Sequence, residues 1–251
     1  MNDNLRLLDA LVDPVLAPLD ALPSGAHVID LGTGSGDLVR ELARRRPDLR
    51  ITGIDIDPAV LPKSTGSVNF RVMDMTALDF KDAVADAVIS RFGLLNPTAP
   101  AFAQSAQETA RVLAPGGVLS MAAWADTDDS PYTRIGLAVL RRTPVPVEIP
   151  DMESMFAESA RPGALEGHLA AAGLNGIEAS QFEWGMEFPS FEHYWRFNTG
   201  RDPLKAVFEA MDEKQVDQAR RTMMDDLAEY RSAAGSYRLP ASARYITARR
   251  S

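Results

Sequence analysis

The chain has 251 residues, of which 45% are hydrophobic and 24% are charged, a balance typical of a folded globular protein rather than a disordered one. Its formal net charge of −9 disfavours a nucleic-acid partner, since lysine and arginine bind the phosphate backbone. The lack of cysteine excludes disulfides and thiolate zinc sites, and three scattered histidines argue against any other metal site. Without a basic, apolar leader or a run of about 18 apolar residues, we expect a cytoplasmic protein with no membrane partner.

Short apolar runs alternate with helical patterns in the first half of the chain. Residues 5–21 predict a helix that Pro14 and Pro18 break or kink. The predicted strands that follow cover residues 27–31, 50–55, 69–73, 83–90 and 118–124. Predicted helices cover residues 37–46 and 101–113, with a short one opening at Pro58. This alternation predicts a parallel sheet with helices on both faces.

The second half of the chain is less regular. Strands are predicted at residues 177–182 and 245–248, and helices at 160–172, 191–197 and 212–231. About sixty residues separate the last two strands, more than a connecting loop needs, so we interpret this stretch as a helical lid. The predicted organisation is an N-terminal helical segment (1–24), an α/β core (25–184 plus 243–251) and the lid or substrate-binding insertion (185–242).

Three glycines directly follow the first predicted strand. Gly32, Gly34 and Gly36 let the backbone turn tightly and approach a ligand, and the next helix directs its first N–H groups toward that place. The spacing G-x-G-x-G differs from the dinucleotide fingerprint G-x-G-x-x-G. Asp30, at the end of the strand, would repel a pyrophosphate but attract an ammonium group. The pattern favours an amino-acid moiety as ligand, with a purely structural turn as the alternative.

Further carboxylates end the second and third predicted strands. Asp55 lies 25 residues after Asp30, close to the spacing at which an acid accepts hydrogen bonds from ribose hydroxyls. Asp57 precedes a proline and is interpreted as a helix N-cap. After the third strand, Asp74 is placed to accept a hydrogen bond from the amino group of adenine. Met75 is placed to pack on the ring, with core filling as its alternative role.

Four segments in this order resemble the class I methyltransferases, and more narrowly the small-molecule group called methyltransferase type 11 or 25. They are Val28–Gly36, Gly53–Asp57, Asp86–Gly93 and Arg111–Gly117. The resemblance implies a Rossmann-like, seven-stranded, mostly parallel sheet with helices on both faces. Its last strand would be antiparallel and inserted beside its neighbour. The resemblance also implies S-adenosylmethionine as cofactor, S-adenosylhomocysteine as product and a small-molecule substrate.

The resemblance also assigns roles by position. The residues implied to hold the methionyl part are Asp30, Gly32, Thr33, Gly34 and Gly36. Those implied to hold the ribose and adenine are Asp55, Ile56, Asp74 and Met75, with Ile56 stacking under the ring. Ser90, Arg91 and Phe92 would border the methionyl group and the substrate.

The predicted lid contributes an apolar surface and one titratable candidate. Its aromatic and apolar residues are Phe182, Trp184, Met186, Phe188, Tyr194, Trp195 and Phe197. They suit an apolar or aromatic substrate, and packing of the lid itself explains them equally well. His193 is the candidate general base, because histidine titrates near neutral pH; its alternative is a helix-surface residue.

Three functions are compatible with these motifs. The first is methyl transfer by in-line attack of the substrate on the cofactor. The second is a protein that binds the cofactor without methylating, such as a cyclase or a cofactor-binding module, since fold does not fix function. The third is a nicotinamide-dependent reductase, which the glycine spacing disfavours. A homodimer is compatible with all three.

Overall fold

A computed structural model describes residues 6–94, 99–125, 131–149, 161–200 and 204–251. The chain divides into two compact units. We call residues 9–124, 155–182 and 243–251 the core unit, and residues 1–8, 125–154 and 183–242 the appended unit. The first residue of the predicted N-terminal helix, Leu5, and the first of the helix predicted at 160–172, Ala160, lie outside the described residues.

One sheet contains seven strands in the order β3-β2-β1-β4-β5-β7-β6. In chain order, β1 to β7 are His27–Leu31, Arg50–Asp55, Val68–Val72, Ala85–Arg91, Leu113–Trp124, Leu174–Phe188 and Tyr237–Arg250. The pairs β1–β2, β2–β3, β1–β4 and β4–β5 are parallel, and β5–β7 is antiparallel. The prediction of a mostly parallel sheet, with an antiparallel last strand inserted beside its neighbour, is confirmed.

Helices precede, connect and follow these strands. In chain order, α1 to α8 are Val12–Leu16, Asp37–Arg45, Ala99–Val112, Pro131–Arg142, Ala164–Ala171, Phe191–Thr199, Leu204–Glu209 and Glu213–Asp226. Among the described residues, the 3-10 helices are Arg6–Leu11, Ala17–Leu19 and Ala228–Tyr230. The first two of these flank α1, so the predicted break in the N-terminal helix is confirmed.

The prediction of a short helix that begins at Pro58 is wrong, because residues 58–60 form a turn. The Asp57 carboxylate accepts a hydrogen bond from the Ala59 backbone N–H at 2.8 Å. A side-chain bond to the backbone two residues ahead is typical of an Asx turn, which competes with helix formation. Asp57 therefore closes a turn here and does not cap a helix.

Two apolar clusters cover the two faces of the sheet in the core unit. Alternate residues of β1 contribute to each, with Ile29 in one cluster and Val28 in the other. The first cluster includes Phe102 of α3 and Leu169 of α5. The second includes Leu42 of α2, together with residues of α1. The sheet is thus buried on both sides, which explains why its central strands are continuous apolar runs.

Strand β5 begins earlier than predicted, at Leu113. Its pairing with β4 shifts between Leu113, opposite Ala85, and Val118, opposite Ala87. The four residues of β5 at 114–117 therefore bulge opposite a single residue of β4. Residues 114–117, which lie between the predicted helix at 101–113 and the predicted strand at 118–124, thus belong to β5.

The last two strands are also longer than predicted. The expected strands at 177–182 and 245–248 extend to Leu174–Phe188 and Tyr237–Arg250. Most side chains of β6 are exposed or half-buried, so no apolar run marks its ends.

The appended unit has its own aromatic core. Phe188 packs edge-on against Tyr194 and Phe197, with ring centroids 5.0 and 5.5 Å apart. The Arg220 guanidinium covers Phe191 and Trp195 at 5.0 and 5.4 Å from the ring centroids. Much of the aromatic density predicted for the lid is therefore internal packing. None of the helices in the described ranges is both long and apolar enough to cross a bilayer.

Arg111, at the end of α3, ties a surface loop to the core unit. Its guanidinium donates to Glu108 and Asp82, and to the backbone carbonyls of Phe80 and Leu78, at 2.7 to 2.8 Å. Bonds from a charged donor are among the stronger ones in proteins, at about 1.5–3 kcal/mol. Arg111 therefore holds the loop at residues 78–82 at three points, and Arg71 adds a bond to the Asp79 side chain.

We expect Arg111→Ala to lower the free energy of unfolding by about 2–3 kcal/mol. The matched control is Arg44→Ala, because that side chain is 72% exposed and pairs only with its own helix neighbour Glu41 within the described chain. Such an exposed pair contributes at most about 0.5 kcal/mol. Urea unfolding followed by circular dichroism measures both variants. Equal effects would contradict the assigned role of Arg111.

Candidate functional site

A tight glycine turn joins β1 to α2 at the carboxyl edge of the parallel strands. Gly32 has φ +71° and its neighbour Gly93 lies directly against it, so that a Cβ on Gly32 would lie 2.5 Å from the Gly93 Cα. The Thr33 N–H donates to the Ile54 carbonyl at 2.8 Å, which fixes the turn to the end of β2. A side chain at position 32 would thus separate two backbones that are in contact.

The end of β4 is joined to the same turn from the other side. The Ser90 hydroxyl donates to the Leu31 carbonyl at 2.8 Å and accepts from the Leu94 N–H at 2.9 Å. A Cβ on Gly93 would overlap the Leu31 carbonyl oxygen. Sequence reasoning included Gly93 in a motif without giving it a role. The structure gives it one, because it lets the β4 loop lie against the glycine turn.

Asp30 is the buried charge of this site, with 1% of its surface exposed. Burial raises its pKa from the usual 3.8 to about 6, the Asp55 charge adds to the rise, and Thr33 and Arg91 oppose it. Within the described part of the chain, Asp30 Oδ1 accepts no hydrogen bond. A buried carboxylate oxygen without a donor is costly. An ammonium group would supply both the donor and the missing charge, so the residues present fit an amino-acid ligand.

Asp55, at the end of β2, supports the glycine turn as well as facing the same edge. Its Oδ2 accepts the Gly34 N–H at 2.9 Å, and its Oδ1 accepts the Asp57 N–H at 3.1 Å. Each carboxylate oxygen has two lone pairs, so both retain capacity for ribose hydroxyls. The structure thereby connects two predicted site residues that sequence reasoning treated separately, Asp55 and Gly34.

The residues predicted around adenine lie after β2 and β3. Ile56 is 66% exposed, which is unusual for an isoleucine and suits an apolar ligand surface. Asp74 Oδ1 accepts from the Thr76 N–H and hydroxyl, both at 2.8 Å, while Oδ2 makes no hydrogen bond to the described residues. Met75 is partly buried against the first apolar cluster, which matches its alternative role as core filler.

Phe92, at the same edge of the sheet, has a backbone conformation that is unusual for a residue other than glycine. Its φ is +63°, a left-handed conformation that costs a non-glycine residue about 1–2 kcal/mol. Its ring stacks on Trp124 at the end of β5, with centroids 3.9 Å apart and planes 16° from parallel. This stack offsets the strain and fixes the β4 loop. Arg91, just before it, is half-buried, and this burial lowers the pKa of its guanidinium while Asp30 and Asp37 raise it.

The three histidines have structural partners. His27 bonds Val84 O through Nδ1 at 3.1 Å and Thr52 Oγ1 through Nε2 at 3.0 Å, and burial lowers its pKa. His168 packs 5.6 Å from the Phe102 ring centroid. His193 lies in the appended unit, with Nδ1 2.9 Å from the Ser190 hydroxyl at the start of α6. Its role as general base stays a prediction.

Residues 28–117 match the family model described as a methyltransferase domain. The 2-methyl-6-phytyl-1,4-hydroquinone methyltransferase of Synechocystis is 38% identical over 117 residues, which cover 44% of this chain and 36% of that protein. The match thus spans about a third of that curated relative's length.

Solved structures share the fold over nearly the whole chain. The phosphoethanolamine N-methyltransferase 2 of Haemonchus contortus, solved with S-adenosyl-L-methionine, has a TM-score of 0.58 at 14% identity, over 99% of this chain and 56% of that one. The 4+2 cyclase SpnF has a TM-score of 0.56 at 20% identity, over 96% and 81%. Residues 28–117 are therefore similar to a methyltransferase domain, and the chain shares the fold of these solved structures.

Proposed function

We propose that this protein transfers the methyl group of S-adenosylmethionine to a small apolar or aromatic molecule and releases S-adenosylhomocysteine. The observation that carries the proposal is Asp30, a buried carboxylate with an unsatisfied oxygen beside the glycine turn. Such a group fits the ammonium of the methionyl moiety. It does not fit a pyrophosphate, which argues against a nicotinamide-dependent reductase.

In this proposal, different residues at the carboxyl edge of the sheet bind different parts of the cofactor. The methionyl part is assigned to Asp30, Gly32, Thr33, Gly34 and Gly36, and the ribose and adenine to Asp55, Ile56, Asp74 and Met75. Arg91 and Phe92 border the methionyl group. Ser90 acts through its two backbone hydrogen bonds, to Leu31 and Leu94, and so positions the loop that carries them.

The chemistry needs little from the protein beyond placement. When bound, the sulfonium supplies an electrophilic methyl group, and the substrate nucleophile forms a bond to that carbon as the carbon–sulfur bond breaks. Alignment of two reactants contributes roughly 7–11 kcal/mol to rate acceleration. His193 is the proposed base that takes the proton of a hydroxyl or ammonium nucleophile, which adds about 10²–10⁴-fold.

A hydroxylated aromatic substrate is the first candidate. The Synechocystis relative is named for a hydroquinone, and the predicted apolar character of the substrate agrees with that class. The net charge of −9 supports a small molecule rather than a nucleic acid. A cytoplasmic location and a homodimer are further predictions.

Calorimetry with the full chain tests cofactor binding. We expect S-adenosylmethionine and S-adenosylhomocysteine to bind and NADH not to bind. Asp55→Ala removes both the ribose acceptor and the Gly34 N–H partner, so we expect at least tenfold weaker binding. Asp79→Asn is the control, since that side chain is 88% exposed. Binding of NADH alone would contradict the proposal.

Release of S-adenosylhomocysteine in the presence of hydroquinones tests catalysis. The 4+2 cyclase SpnF has the same fold, so a cofactor-binding protein that does not methylate is the second candidate. Cofactor binding without release, across phenol, amine and carboxylate substrates, would favour that second function. Release with any one class supports methyl transfer.

A further inference from the structure

A groove of about 670 Å³ lies within the appended unit. Its walls come from the first part of β7, the last part of β6 and the start of α4: Pro131, Glu183, Trp184, Gly185, Arg238 and Pro240. These residues are different from those assigned to the cofactor. The volume lies in the range of about 300–1,000 Å³ that is usual for small-molecule sites.

Gly185 lets Arg238 lie along the groove. A Cβ at position 185 would overlap the Arg238 Nε and would lie 2.9 Å from its Cγ and 3.0 Å from its Cζ. The arginine side chain therefore crosses the neighbouring strand at Gly185, a residue without a side chain. Part of the guanidinium therefore lies close to the Gly185 backbone, while most of the side chain remains exposed.

Arg238 also has spare donors. Its ion pair is with Glu187, at 3.7 Å between Nε and Oε1 and with both side chains more than 70% exposed. That distance is too long for a hydrogen bond. A guanidinium has five N–H donors, so within the described residues several remain available to a ligand.

The groove combines three kinds of surface. Trp184, which is half-buried, and the two prolines contribute to the lining. Glu183 is exposed and supplies acceptors, while Arg238 supplies donors. Aromatic surface with one acceptor group and one donor group is complementary to a flat ring that carries hydroxyl groups, because a hydroxyl both donates and accepts.

We propose that this groove binds a hydroxylated aromatic molecule, a phenol or hydroquinone, and that Glu183 and Arg238 determine its specificity. The hydroxyl proton is donated to Glu183, and a ring oxygen accepts from Arg238. The inference rests on the proposed function in one respect, namely that this molecule is the methyl acceptor.

The charges of the groove disfavour other small ligands. An aromatic carboxylate gains from Arg238 but brings a negative charge beside Glu183 and Glu187. An arylalkyl amine, which is protonated at neutral pH, is attracted by the glutamates but repelled by Arg238. A neutral hydroxylated ring satisfies both kinds of group without a like-charge contact.

Calorimetry on the full chain, saturated with S-adenosylhomocysteine, tests the groove with defined probes. We expect 2,6-dihydroxynaphthalene to bind. We expect 2,6-dimethoxynaphthalene, which cannot donate, and 2-naphthoate, which is an anion, to bind at least tenfold more weakly. Comparable binding of the dimethoxy compound would overturn the inference. Tighter binding of 2-naphthoate, lost in Arg238→Met, would show an anion site instead and would also overturn it.

Two variants and a control assign the effect to the groove. We expect Glu183→Ala and Arg238→Met each to weaken binding of the diol at least tenfold. Arg221→Met, an exposed arginine of α8 in the same unit, should leave the affinity unchanged. Thermal unfolding by circular dichroism checks that each variant is folded. Unchanged diol binding in both folded groove variants would overturn the assignment.

The two proposals fail in different ways. If the diol binds and both groove variants weaken it, but no S-adenosylhomocysteine forms in turnover assays with hydroxylated aromatic, amine and carboxylate substrates, the groove stands and the proposed methyl transfer fails. If the diol is methylated at the same rate in wild type, Glu183→Ala and Arg238→Met, methyl transfer stands and the groove inference is overturned.

Discussion

Asp30→Asn should stabilise the free protein and at the same time greatly weaken its binding of S-adenosylmethionine. The substitution keeps the size of the side chain and removes a buried charge. Burial raises the Asp30 pKa from 3.8 to about 6. Near neutral pH the folded protein therefore keeps Asp30 ionised at the expense of unfolding free energy. One pKa unit corresponds to 1.36 kcal/mol, so the gain in unfolding free energy reaches about 3 kcal/mol.

The sign of the pH dependence follows from the raised pKa. The protonated carboxyl is the form that the folded protein prefers. Protonated Asp30 therefore does not lower the stability of the folded wild type below pH 4. As the pH rises to about 6 and Asp30 ionises, the free energy of unfolding of the wild type falls. Above that pH the difference between Asp30→Asn and wild type should be constant. Urea unfolding between pH 4 and pH 8 measures it, with the exposed Asp79→Asn as the control.

Cofactor affinity should depend on the same carboxyl in the opposite direction. Only the ionised Asp30 attracts an ammonium, so wild-type affinity should fall about tenfold from pH 7 to pH 5. Asp30→Asn should bind about 100-fold more weakly at pH 7, from loss of one charge-assisted hydrogen bond. Its affinity should not change over that pH range. Wild-type affinity in the variant would remove the basis of the proposed function.

Much of the parallel sheet and the glycine turn was predictable because short-range patterns determine them. The buried run at 27–31 and the glycines after it place β1 and its turn without knowledge of distant residues. The same holds for β2 and its terminal Asp55, one βα unit later. Ordered motifs at the ends of parallel strands must meet at one edge, and the candidate site follows from that rule.

The parts that escaped prediction depend on contacts between distant residues. Gly93 contacts the turn at Gly32 from another strand, and no local pattern shows that. The Ser90 hydroxyl joins the backbone at Leu31 and Leu94, which no local pattern shows, and its place beside a ligand stays a prediction. Strands β6 and β7 were predicted too short because their ends carry charged and polar side chains. The groove beside Arg238 was missed for the same reason.

Gly93→Ala should be the most damaging single-methyl change in the core unit. The added Cβ would overlap the Leu31 carbonyl oxygen and lie 2.7 Å from the Gly32 Cα. Both are backbone atoms, so no side chain can rotate away and the β4 loop must separate from the glycine turn. Overpacking of this kind costs about 3 kcal/mol, which corresponds to a fall in melting temperature of roughly 6–12 °C for a chain of this length.

Two other glycines provide matched controls, since each has positive φ and an added Cβ would meet nothing within 4 Å. Gly116, in the β5 bulge, has φ +77°, so Gly116→Ala should cost about 1–2 kcal/mol and leave cofactor affinity intact. Gly34, in the turn itself, has φ +53°, so Gly34→Ala should cost a similar amount of stability.

The open space beside Gly34 then distinguishes a ligand site from a structural turn. If the cofactor occupies that space, Gly34→Ala should weaken its binding at least tenfold, because the methyl group stands where the ligand must approach. Differential scanning calorimetry gives the stabilities, and isothermal titration with S-adenosylhomocysteine gives the affinities. If Gly34→Ala and Gly116→Ala both bind S-adenosylhomocysteine with near-wild-type affinity, the glycines of the turn are needed only for the backbone conformation. A melting temperature unchanged in Gly93→Ala would contradict the close contact between the two loops.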